Sequence, residues 1–193
     1  MATAVLLIGV IGGAAMLYAN RDGGGKESAP SSLAVYAKGS LSKLLTPAPT
    51  LAPDYVFKDA EGRDVRFSAF KGKVAVVNLW ATWCAPCKIE MPTLAALAEH
   101  YKGRDDVAVM TISMDVDKAV PEARAFIAEH PPLAFYADPK FQLPFEFPGK
   151  GAMPQTILLD RQGKVRAVLT GEADWASDEA KALVEALLAE EGR

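Results

Sequence analysis

Cys84 and Cys87 are the only cysteines of the 193-residue chain, and Ala85 and Pro86 separate them. A thiolate attacks a disulfide sulfur, and the mixed disulfide that forms must be resolved by a second thiol close by. Cys84 sits between an apolar run that reads as a buried strand and a stretch with helical spacing. That junction places its sulfur near a helix N-terminus, where unpaired N–H groups and the helix dipole favour a thiolate. Cys87 falls on the first turn, close enough to resolve the adduct. Pro86 suits that turn because its missing N–H has no intrahelical partner there. Thiol–disulfide exchange is the expected chemistry.

Competing chemistries fit the residues less well. Zinc would need two further ligands; only His100 and His130 exist, at a spacing unlike a zinc finger's, and each reads as a solvated residue near a helix end. Covalent haem attachment requires His after the second cysteine, where position 88 is Lys. A purely structural bridge over so short a loop would constrain almost nothing. Lys+Arg 21 against Asp+Glu 24 leaves a net charge of -3 with no basic run, which gives no footprint for nucleic acid. With 50% hydrophobic residues a large core can be buried, so a disordered acidic chain is excluded. Two cysteines are too few for a small disulfide-stapled fold.

The elements that must hold the cysteines follow from hydrophobic spacing. Residues 74–80, Val-Ala-Val-Val-Asn-Leu-Trp, form a nearly continuous apolar run, the signature of a central buried strand. Over 84–101, Cys87, Met91, Leu94, Ala98 and Tyr101 share one helical face, and Pro92 within it is expected to kink the helix. Tyr55-Val56-Phe57 and Val65-Arg66-Phe67 flank the turn signal Asp59-Ala60-Glu61-Gly62, and 156–159 with 165–169 form a second hairpin around Asp160-Arg161-Gln162-Gly163. Strands are expected over 107–114 and 133–136, and helices over 121–130 and, capped by Ser177, from there toward Leu188. Residues 138–150, rich in Pro and Phe, read as irregular. The alternation predicts an α/β fold, a mixed central sheet covered by helices on both faces.

Upstream, residues 2–19 carry no charge and span roughly 27 Å as a helix, close to the ~30 Å hydrocarbon core. A transmembrane anchor over 1–19 is favoured over a cleaved signal segment, because no basic residue precedes the run and Leu17-Tyr18-Ala19 is a poor cleavage site. Arg21 and Lys26 alone would weakly place the remainder inside; the expectation is instead that the natural start lies upstream and carries basic residues. Residues 20–50 read as a Gly/Ser/Pro spacer, with a short amphipathic helix around Leu33, Tyr36, Leu41, Leu44 and Leu45 that packs on the domain formed by 51–193.

Leu79-Trp80-Ala81-Thr82-Trp83-Cys84-Ala85-Pro86-Cys87-Lys88, followed by Glu90-Met91-Pro92, resembles the thioredoxin superfamily in its membrane-anchored, extracytoplasmic TlpA/ResA/CcmG branch. Gly151-Ala152-Met153-Pro154-Gln155-Thr156 resembles the same family's cis-proline loop, and Glu172-Ala173-Asp174-Trp175-Ala176-Ser177 most resembles TlpA proteins. The resemblance implies a thioredoxin-like domain, a cis Met153-Pro154 bond facing Cys84, and a Met153 backbone that pairs with an extended substrate segment. Cytoplasmic thioredoxins carry a buried Asp six residues before the first cysteine; here that position is Asn78, which cannot titrate. Glu90, placed on the same helical side as Cys87, matches a branch pattern. It is either a partly desolvated base that activates Cys87 or a solvated residue stabilising the helix start, and the first reading is preferred. Trp83 borders the cysteine surface and contacts partners, or only packs; Lys88 reads as solvated; Asp115 and Asp117 form a polar loop without ligand spacing; Trp175 is open between family marker and packing residue.

The resemblance implies a thiol–disulfide oxidoreductase tethered to the bacterial inner membrane with its domain in the periplasm. Its roles would be Cys84 as nucleophile, Cys87 as resolving thiol and Glu90 as proton carrier, with no cofactor because the sulfurs carry the electrons. Clients would be oxidised cysteine pairs in cytochrome or copper-centre assembly proteins, with electrons from a membrane thiol carrier. Ala85-Pro86 lacks the histidine of strongly oxidising relatives, so a reductase nearer about −270 mV than −120 mV is expected. The alternative is a Sco-type Cu(I) metallochaperone, since soft Cu(I) suits two thiolates; a peroxidase fits less well.

Overall fold

A computed structural model describes residues 32–190. The segment 1–19, expected to be an anchor, lies outside them, and no helix among the described residues is long and apolar enough to cross a membrane. The strands are β1 (Thr50–Leu51), β2 (Phe57–Lys58), β3 (Asp64–Val65), β4 (Val74–Trp80), β5 (Val107–Ser113), β6 (Ala134–Ala137), β7 (Gln155–Leu159) and β8 (Lys164–Thr170). The helices are α1 (Ala85–His100), α2 (Val120–Ala128), the single turn α3 (Leu143–Glu146) and α4 (Asp178–Ala189). Together the strands form one sheet in the order β1-β8-β7-β4-β5-β6-β2-β3, with β5 parallel to both β4 and β6 and the other pairs antiparallel.

Successive side chains of a strand point to opposite faces, so a strand buried at all seven positions must be covered on both. β4 is such a strand. It pairs with β5 along its whole length and with β7 from Ala75 to Leu79, which makes it the middle of the mixed sheet. The two hairpins obey one turn chemistry. Asp59 Oδ1 accepts from the N–H groups of Glu61 and Arg63, and Asp160 Oδ1 from those of Gln162 and Lys164. Gly62 (φ 78°) and Gly163 (φ 77°) supply the left-handed residue that each turn needs.

The first hairpin is shorter than its sequence pattern, because Phe67 leaves the strand for a 3₁₀ turn (Phe67–Phe70) and buries its ring against Phe57, 5.1 Å between centroids. The region 33–45 is two 3₁₀ turns, Ser32–Tyr36 and Gly39–Leu41, not one helix: Gly39, at φ 53°, ends any regular run. Leu33, Leu41 and Leu44 are nevertheless buried, and Leu45 exchanges both backbone hydrogen bonds with Val168 at 2.8 Å. This part of the spacer is thus packed on the domain.

Candidate active site

α1 begins where β4 ends, and the turn between them carries the cysteines. Cys84 is the N-cap in extended conformation, and its Sγ accepts from the Cys87 N–H at 3.3 Å, the cap position normally filled by a side-chain oxygen. Pro86 lies in the first turn as expected, and α1 continues through Pro92. The two sulfurs are joined as a disulfide. Both cysteines are largely covered, Cys87 completely, whereas Trp83 beside them is 63% exposed.

The sheet brings Pro154 to the same end. Antiparallel pairing of Leu79 with Gln155 sets the residue before β7 opposite the end of β4, next to the cysteine turn. Met153-Pro154 is cis, the Pro154 carbonyl accepts from Gly171 N–H at 2.9 Å, and the Met153 backbone makes no hydrogen bond among the described residues. That free peptide edge could pair with another chain.

Glu90, on the inward side of α1, is 1% exposed, so it is not the solvated residue of the alternative reading. Its Oε1 accepts from Asn78 Nδ2 at 2.8 Å, and its Oε2 from Ala173 N–H at 3.1 Å and Trp175 Nε1–H at 3.2 Å. Burial pushes its pKa from 4.5 up to about 7, although the three donors pull the other way; the Glu172 charge adds slightly to the rise. The carboxyl can therefore give and take a proton near neutrality. Among the described residues neither sulfur hydrogen-bonds to it in this disulfide form.

Two parts of this network escape sequence reasoning. Asn78 has a positive role despite being unable to titrate: its Nδ2 also donates to Thr156 Oγ1 at 2.9 Å, tying β4 to β7 beneath the carboxyl. Trp175 is buried, but it is more than packing, since it donates to Glu90 while its own N–H donates to Thr93 Oγ1 at 3.0 Å. The only signal for either was the 172–177 stretch and the departure at position 78. Asp115 is also placed differently from a polar loop residue. It is buried and accepts from the N–H and Oγ1 of Thr82 and from Ser113 Oγ, which brace the turn before Cys84.

A mixed sheet with a Cys-x-x-Cys pair at the head of its first long helix, beside a cis X-Pro, defines a thioredoxin-like protein of thiol–disulfide exchange. A solved structure from Chlorobium tepidum, assigned as a thiol:disulfide interchange protein DsbE, superposes with a TM-score of 0.64 at 28% identity, covering 75% of this chain and 99% of that one. The Redoxin family model matches residues 47–187, and the chain belongs to that family. It is 33% identical over 139 residues to the thiol-disulfide oxidoreductase ResA of Geobacillus thermodenitrificans, covering 71% of this chain and 77% of the relative. ResA of Bacillus subtilis is 31% identical over 121 residues, 62% of this chain and 65% of the relative. The protein is a thiol–disulfide oxidoreductase.

Proposed function

We propose that the protein is a membrane-tethered periplasmic reductase of disulfides in cytochrome or copper-centre assembly proteins. The observation that carries dithiol exchange at the site is the buried Glu90 carboxyl on the same side of α1 as Cys87, and the reducing direction rests on Ala85-Pro86, which lacks the histidine of strongly oxidising relatives. In the reduced protein the Cys84 thiolate attacks a client disulfide, forming a mixed disulfide and releasing one client thiolate. Ionised Glu90 takes the proton of the Cys87 thiol, and the resulting thiolate attacks the Cys84 sulfur. The Cys84–Cys87 bond forms, the second client thiolate leaves, and two electrons have passed to the client. The oxidised form so produced is the one described above. A membrane dithiol carrier would then restore the thiols by the reverse exchange.

The tether and the compartment rest on the apolar segment 2–19 and on the branch that the cysteine stretch resembles. Such a reductant acts in a compartment that otherwise oxidises thiols, which favours tethering and a narrow range of clients. Among the described residues no group of three or more His, Cys, Asp or Glu side chains is placed to hold a metal, so the copper-carrier alternative would rest on the two cysteine sulfurs.

The test is a Cys87→Ser variant expressed with its N-terminal segment in the native host. Without the resolving thiol, mixed disulfides through Cys84 accumulate, and mass spectrometry should identify a haem- or copper-assembly protein. No adduct, combined with tight Cu(I) binding by the purified wild type, would replace this reading with the metallochaperone.

A further inference from the structure

Trp83, the residue before Cys84, is one wall of an open groove of about 640 Å³, with Val116 and Phe141 as the other apolar walls and buried Met114 also lining it. That volume lies within the usual range of ligand pockets, about 300–1,000 Å³. The ring of Phe141 stands 6.0 Å from Trp83 and 5.9 Å from Phe145, so three aromatic side chains run in a row across the surface.

Phe141 is held there against its backbone preference. Its φ is 53°, a left-handed conformation that a bulky side chain rarely adopts and that persists only when surrounding structure imposes it. The imposing group is Asp138, 1% exposed. Its Oδ2 accepts from the N–H groups of Gln142 (2.8 Å) and Leu143 (2.9 Å), and its Oδ1 from Lys140 N–H (3.2 Å) and the Tyr55 hydroxyl (2.8 Å). The Asp138 carbonyl also accepts from the Phe141 N–H at 3.0 Å. A buried carboxylate thus winds residues 139–143 into a tight turn whose product is one aromatic ring set against Trp83, the residue before the reactive cysteine.

Resting on the disulfide-reductase reading, we propose that Phe141 is a specificity residue: with Trp83 and Val116 it grips one large apolar side chain next to the client's attacked cysteine. The occupant is an extended client segment, because the groove is walled by Thr82 and Trp83, the two residues that lead into Cys84, where a client sulfur must arrive. Charge points the same way. The exposed charge lining the groove is Lys118, whereas Asp115, which also lines it, is 1% exposed with its oxygens turned to Thr82 and Ser113. The matching client sequence therefore carries an acidic residue close to the apolar one.

The experiment uses the reduced full-length protein and two synthetic peptides, each with one cysteine held as a mixed disulfide with glutathione. They are identical, with an acidic residue, except that one has Phe and the other Gly beside the cysteine. In single-turnover mixing the wild type should reduce the Phe peptide with a second-order rate constant at least ten-fold higher, mostly through a lower half-saturating peptide concentration. Phe141→Gly keeps the turn, because glycine adopts φ 53° without steric cost, and should bring the ratio of the two peptides close to one. Phe141→Ala should do the same if it folds. A wild-type ratio near one overturns the proposal, as does a ratio that Phe141→Gly leaves unchanged. Concentration-dependent dimerisation that Phe141→Gly abolishes would assign the groove to a second copy and also overturn it. Reduction of neither peptide nor glutathione disulfide would instead defeat the reductase reading itself.

Discussion

Glu90 makes a prediction that separates its titration from its mere presence. Its pKa of about 7, against an ordinary value of 4.5, means that the folded state holds the proton more tightly than the unfolded chain does. At ~1.4 kcal/mol per tenfold, ionising it in place costs the fold about 3 kcal/mol. The sign follows from linkage: between pH 4.5 and 7 the folded protein binds the extra proton, so stability falls as pH rises through that window. Below 4.5 and above 7 this group contributes no slope. Glu90→Gln removes the titration, and any misfit of its amide against the three donors is a constant offset independent of pH. Urea unfolding of the oxidised wild type and of Glu90→Gln, from pH 4 to 8, should show the wild type losing about 3 kcal/mol relative to the variant, with half of the loss complete well before pH 7. Parallel curves would refute the reasoning, because they would mean that Glu90 titrates at the same pH in the folded and unfolded chain. The catalytic arm is separate. In single-turnover mixing, resolution of a Cys84 mixed disulfide should slow by roughly 10²-fold in Glu90→Gln, and an unchanged rate would leave the carboxyl without a role in proton transfer.

Trp175→Phe keeps the buried ring but deletes a donor to the carboxylate, so the pH midpoint of the wild-type stability change should move upward, readable in the same titration. Asp138→Ala strips a partner from three backbone N–H groups and the Tyr55 hydroxyl and should cost about 2–4 kcal/mol in urea unfolding, with Asp138→Asn restoring part of it; a loss below 1 kcal/mol would show that the turn does not need the carboxylate. Equilibration with glutathione should place the Cys84–Cys87 couple nearer about −270 mV than −120 mV, and a value above about −150 mV would reverse the assigned direction.

What the sequence shows and what it hides divides along physical lines. Val74–Trp80 is legible because a strand buried on both faces admits almost nothing but apolar residues, and the structure returns those bounds. The cysteines, Pro86 and the Ser177 cap are legible because each does a local job that few residue types can do. The hairpin ends and the 33–45 region are less so, since tertiary burial of Phe67 and a left-handed Gly39 override the local spacing. Asp138 and Trp175 are the hardest kind. Their partners, Tyr55 and Glu90, lie more than 80 residues away, and no pattern within a window can join a carboxylate to groups that only the folded sheet brings together.

The exchange of acid between positions has a structural logic of its own. Asn78 sits in the centre of β4, where a carboxyl would be fixed by the sheet. Here the acid comes from α1 instead, and the strand offers it an amide donor at 2.8 Å. A carboxyl on the helix can be held from a third direction, and it is: the backbone of Ala173 and the indole of Trp175 both belong to the loop between β8 and α4. Thr93, one turn further along α1, reinforces that link by accepting from Trp175 N–H and donating to the Glu90 carbonyl at 2.7 Å. The loop is in turn fastened to the N-terminal segment, since Asp174 N–H donates to Ser40 Oγ at 3.1 Å. Desolvation raises the pKa and this clamp lowers it, so the balance near neutrality depends on both being present. A helix-borne acid thus makes the proton supply of the cysteine pair answerable to the loop before α4, which a strand-borne acid would not need to touch.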